Sequence, residues 1–169
     1  MPRSFDITAA YDSSVEVVLA AFADEQYWLT RLAESGADEA ILDELVVGAD
    51  GAILVRTTQV LHRNKLPGVV AQFHRGDLRI TRREQWSAVS DGTAGATVSG
   101  AIPGAPVSLN GDALLAPLDV GSARLVLRAS VDVRVPLVGS KIEKMLGGQL
   151  TELMQIEQRF TTEWIAGRR

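Results

Sequence analysis

The spacing of hydrophobic positions changes several times along this chain, and each change marks an element. Arg3 to Ala10 alternates, with Phe5, Ile7 and Ala9 on one side and Ser4, Asp6 and Thr8 on the other, which predicts a half-buried strand. Val15, Val18, Leu19 and Phe22 then follow helical spacing. One of Asp12, Ser13 and Ser14 caps that helix, and Glu16 sits in its first turn, where negative charge favours the helix dipole. A second helix is expected from near Asp24 to Gly36, carrying Trp28, Leu29 and Leu32. Period two returns at Ile41–Val47 and Ala52–Leu61, two strands joined through Asp50-Gly51, a hairpin pair because glycine tolerates positive φ. The stretch from His62 to Arg75 is irregular; Leu66-Pro67-Gly68 opens Val69–Phe73, which reads as a short helix or a loop. Further strands are predicted at Leu78–Ala88, Ala96–Ile102, Val107–Leu118 and Arg124–Val135, with a turn at Ser90-Asp91-Gly92. Within Val107–Leu118, Asn110-Gly111 is read as a bulge rather than a hairpin, since splitting there leaves two very short strands.

The last third breaks at Val135-Pro136-Leu137-Val138-Gly139 and then becomes one long helix. Ile142, Met145, Leu146, Leu153, Ile156, Phe160 and Trp164 recur at spacings of three, four and seven, which predicts its apolar face. A helix cannot bury such a face by itself, and the preceding strands are its natural partner. The order is therefore strand, two short helices, about six antiparallel strands and a long C-terminal helix. That is an α+β chain whose curved antiparallel sheet of about seven strands wraps the last helix and leaves room for a space between them.

Composition narrows the function. At 169 residues, 46% hydrophobic and 22% charged, residues 1–169 are expected to form one globular domain. A net charge of −4 disfavours nucleic acid as a partner, because phosphate backbones demand a basic field. The absence of Cys removes thiol chemistry and disulfides and fits a cytoplasmic protein. No signal peptide and no integral membrane segment are expected, since no apolar run is long enough. The two histidines, His62 and His74, stand twelve apart in the irregular segment beside Arg63 and Arg75. They read as solvated, so no metal and no cofactor are expected. No phosphate-binding glycine loop, dinucleotide fingerprint or nucleophile elbow occurs.

The element order, together with Ile102-Pro103-Gly104-Ala105-Pro106-Val107 and with Val135-Pro136-Leu137-Val138-Gly139-Ser140-Lys141-Ile142-Glu143-Lys144, resembles the START-like (SRPBCC) helix-grip superfamily. That superfamily includes pathogenesis-related allergens, polyketide aromatases/cyclases and lipid-transfer domains; the resemblance is to an uncharacterised bacterial family within it. It implies a hydrophobic cavity between sheet and terminal helix and assigns no catalytic residue, because this scaffold binds, transports and catalyses.

Several residues could meet a ligand in such a cavity. Period two places Leu78, Ile80, Arg82, Glu84 and Trp86 on one side of their strand. If that side faces inward, Arg82 and Glu84 pair with each other or with a ligand; otherwise a bulge or an edge turns them to solvent. Gln149 falls within the helix stripe that also carries Leu146, Leu153 and Phe160. It either contacts a ligand head group or satisfies a backbone carbonyl. Gly147-Gly148 beside it permits a bend or a close approach of the sheet. The expected function is binding or transfer of a small hydrophobic ligand, a lipid or polyketide-like molecule. The alternatives are an aromatase/cyclase-type enzyme in the same cavity and an interaction module with a filled core.

Overall fold

The structure is a computed structural model that describes residues 2–66, 68–71 and 76–168. Strand β1 (Arg3–Tyr11) is followed by helices α1 (Val15–Phe22) and α2 (Glu25–Ala33). Ser14 accepts the Val17 N–H and Asp24 accepts the Gln26 N–H, so each helix starts at a side-chain cap. Strands β2 (Glu39–Val47) and β3 (Ile53–Leu61) form the expected hairpin. A 3-10 turn at Arg63–Lys65 and a short α3 (Gly68–Ala71) follow. His74 and most of the segment after α3 lie outside the described residues. Strands β4 (Leu78–Trp86), β5 (Ala94–Ala101), β6 (Val107–Pro117) and β7 (Ala123–Val133) lead to α4 (Gly139–Ala166).

All strand pairs are antiparallel, in the order β1-β7-β6-β5-β4-β3-β2. The two helices after β1 carry the chain across to the far edge, so β1 meets the last strand and β2 becomes the opposite edge. Helix α4 lies against β1 and β7, with α1 and α2 also touching it. This is the α+β helix-grip architecture. None of the helices among the described residues is long and apolar enough to cross a membrane.

Two expectations are corrected. The pairing of β6 with both neighbours runs through Asn110 and Gly111 without a shift, so there is no bulge there. A Cβ at Gly111 would lie 2.7 Å from the Arg128 carbonyl oxygen, so this glycine serves close strand approach. The register shift falls instead in β2, between Leu42 and Glu44.

The buried face of α4 is also rotated from the apolar count. Ile156 is exposed, and the helix buries Ile142, Glu143, Gly147, Met154, Thr161 and Ile165. Several of those positions are polar or glycine, which an apolar tally passes over. Each has a partner. The Glu143 carboxyl, in a residue only 1% exposed, accepts the Val133 N–H at 2.9 Å and ties the start of α4 to the end of β7. Gly147 lies under the Phe5 ring, which occupies the place where a Cβ would stand, so the sheet approaches the helix backbone itself.

The core divides into two clusters. The larger holds Phe22, Tyr27, Trp28 and Trp86, joined by Phe160 and Trp164 from α4, with neighbouring ring centroids 5.2–6.3 Å apart. The smaller gathers Val131, Val133 and Ile142 at the N-terminal end of α4.

Candidate functional site

Between the sheet and α4 lies a cavity of about 260 Å³, lined from both clusters. Its origin is visible in the strand registers. Gly100 stands opposite Arg82, Val98 opposite Glu84 and Ala96 opposite Trp86; on β6, Leu109, Gly111 and Ala113 continue these rows. Glycine and alanine at mid-sheet positions leave volume that the helix does not fill. Leu146, Leu150, Leu153 and Met154 close the helix side. The walls at Leu146 and Leu153 are half-buried and Gln149 beside them is exposed, so the cavity meets solvent at this end.

The other end is polar and charge-balanced. Strand periodicity aims Ile80, Arg82, Glu84 and Trp86 into the cavity wall. The Arg82 guanidinium grips Glu157 of α4 in a fork, Nη1 to Oε2 at 2.7 Å and Nη2 to Oε1 at 3.2 Å. Arg31 of α2 forms an ion pair with the same carboxylate. Arg82 also lies 3.5 Å from Glu84, whose Oε1 accepts the Trp86 indole N–H at 3.3 Å. The four charged side chains keep only 11–21% exposure. Arg31 stacks over the Trp28 ring at 4.6 Å and donates to the Tyr27 hydroxyl at 3.1 Å. That hydroxyl is 2.6 Å from the Thr161 hydroxyl, which is also bonded to the Glu157 carbonyl.

The electrostatics follow from this geometry. Burial opposes the charge on Glu157, but Arg31 and Arg82 outweigh it and hold the carboxyl down at about 2. Burial pushes the Tyr11 and Tyr27 hydroxyls up, further above the neutral range in which a phenol is protonated in any case. A carboxylate held between two guanidinium groups is a weak base and a poor nucleophile.

Of the residues expected from the sequence, the structure brings Arg82, Glu84, Trp86, Leu146, Gln149 and Leu153 to the cavity wall. Phe160 is placed differently: it lies against Tyr27 and Trp164, away from the cavity lining. Gln149 is exposed and makes no hydrogen bond with the described residues, so it does not serve a buried backbone carbonyl. Arg82 and Glu84 do point inward, but the main partner of Arg82 is Glu157, while Glu84 is held by Arg82 and the Trp86 indole. Sequence reasoning missed Glu157, Arg31 and Tyr11. Glu157 carried a usable signal, since it stands four residues after Leu153 on the inward face. His62 is exposed, with its N–H on Asp38.

Comparison with known proteins agrees with this fold. A family described as "Protein of unknown function (DUF2505)" matches residues 6–165. The chain is 47% identical over 170 residues to the uncharacterized protein Rv0481c of Mycobacterium tuberculosis, covering 98% of each. Among solved structures it is similar to the Zhui aromatase/cyclase from Streptomyces sp. R1128, with a TM-score of 0.63 at 13% identity, covering 99% of this chain and 96% of that one. It is also similar to a START superfamily protein from Mycobacterium smegmatis, with a TM-score of 0.55 at 12% identity, covering 98% and 99%. At such identities the structural likenesses establish the START-like fold and nothing finer.

Proposed function

This chain belongs to the DUF2505 family of proteins of unknown function, and we propose that it binds or transfers a small hydrophobic ligand in the cavity between sheet and C-terminal helix. The observation that supports this reading is the cavity of about 260 Å³ whose walls are mostly aliphatic, left by small residues in the middle of the sheet. A ligand there gains roughly 25 cal/mol for each Å² of apolar surface removed from water, and the polar end orients it. The paired state of Glu157 favours binding over an aromatase/cyclase-type reaction in the same space.

The test is saturable binding of an apolar fluorescent probe to the native protein, with a matching rise in melting temperature. Gly100→Val supplies the control. A Cβ at Gly100 would meet its nearest neighbours at an ordinary 3.7 Å, so the strand tolerates a side chain there that projects into the cavity. The variant is expected to stay folded and to lose most probe binding. Unchanged binding by folded Gly100→Val, or binding seen only on partial unfolding, would overturn the reading.

A further inference from the structure

One polar group at the inner end of the cavity has no role in the ion network. Tyr11 closes β1, is 5% exposed and lines the cavity beside Arg31 and Glu84. Its hydroxyl makes no hydrogen bond with any described residue. Yet none of the buried side-chain nitrogen or oxygen atoms among the described residues lacks a partner, so the Tyr11 oxygen retains open surface. The free space that the residue borders is the cavity.

The surrounding charges sum to zero. Arg31 and Arg82 supply two positive charges, Glu84 and Glu157 two negative ones. Both guanidinium groups are already engaged, Arg82 by its fork on Glu157 and Arg31 by Glu157 and the Tyr27 hydroxyl. An incoming carboxylate must displace Glu157 or enter as an uncompensated anion. An incoming ammonium meets Arg31 and Arg82, while Glu84 and Glu157 are already paired with them. Either loses its hydration without gaining a free counter-charge. An uncharged oxygen needs neither rearrangement. The Tyr11 hydroxyl, protonated at neutral pH like any phenol, offers it one donor and one acceptor. A plain hydrocarbon fares worse in another way: it displaces water from that hydroxyl and leaves it unbonded.

We infer that the inner end of the cavity selects amphipathic ligands whose leading end is an uncharged oxygen group, an alcohol, phenol or ketone, received by the Tyr11 hydroxyl. This rests on the proposed ligand-binding role of the cavity and specifies its chemistry.

Isothermal titration calorimetry with naphthalene, 2-naphthol and 2-naphthoate at neutral pH tests it, because the three share one ring system and differ in the polar end. The native protein is expected to bind 2-naphthol at least tenfold more tightly than 2-naphthoate. Tyr11→Phe, which keeps the ring, is expected to weaken 2-naphthol by roughly five- to tenfold while leaving naphthalene unchanged or tighter. Naphthoate binding as tightly as naphthol in the native protein overturns the inference without any variant. So does a Tyr11→Phe effect that is equal on naphthol and naphthalene, or absent; in either case the cavity still binds and the broader reading stands. No binding of any of the three overturns both.

Discussion

Replacing Glu157 by glutamine removes the anion that Arg31 and Arg82 share and keeps nearly the same shape. In the native protein the carboxylate satisfies one complete guanidinium fork and a second ion pair, in a site where the partners keep at most 21% exposure. After substitution two buried cations face each other with only Glu84 nearby. Breaking a buried pair on one side costs about 3–5 kcal/mol. A second route gives a similar size. Holding the carboxyl at about 2 rather than its ordinary 4.5 corresponds to about 3 kcal/mol of stability at neutral pH. For a chain of this length that lowers the melting temperature by roughly 6–20 °C. Urea and thermal melts of Glu157→Gln measure it. The pH dependence supplies a signature that a packing defect would lack. The native carboxyl titrates below its unfolded value, so its contribution is complete above about pH 4.5 and fades as pH falls towards about 2. Glu157→Gln is therefore expected to lose most stability above pH 5 and to converge on the native protein in acid. A loss below about 1 kcal/mol at neutral pH, the size typical of exposed pairs, or a loss that persists unchanged to pH 2, would refute the assignment of Glu157 as the centre of a buried network.

Two neighbouring glycines separate close approach from propensity. Gly147→Ala drives a methyl into the Phe5 ring and should destabilise by about 1–3 kcal/mol, whereas Gly148→Ala meets nothing within 4 Å and should stabilise by up to about 1 kcal/mol; urea melts of both variants check the contrast. Gln149→Leu should change the stability of the unliganded protein by less than about 0.5 kcal/mol, because the side chain is exposed; a larger loss in the same melts would show that its amide is bonded inside.

The alternation in β1 and β7, the capped start of α1 within residues 12–14 and the Asp50-Gly51 hairpin were all legible in the sequence, because each depends on neighbours a few residues away. The long helix after Gly139 and the grip of the sheet on it followed from the same local periodicity. So did the common side of Ile80, Arg82, Glu84 and Trp86, since period two is a property of the strand itself. Whether that side faces water or the interior was not local. It depends on small residues of β5 and β6 standing opposite, and on α4 closing over them. The helix face was misjudged for a related reason. Glu143, Gly147, Glu157 and Thr161 count against burial one by one, yet each is inward because a distant group completes it: the Val133 amide, the Phe5 ring, two guanidinium groups and the Tyr27 hydroxyl. Arg31 and Glu157 are more than a hundred positions apart, as are Tyr27 and Thr161. Periodicity reports which way a side chain points, whereas the partner that makes burying a charge affordable is supplied only when the whole chain has folded.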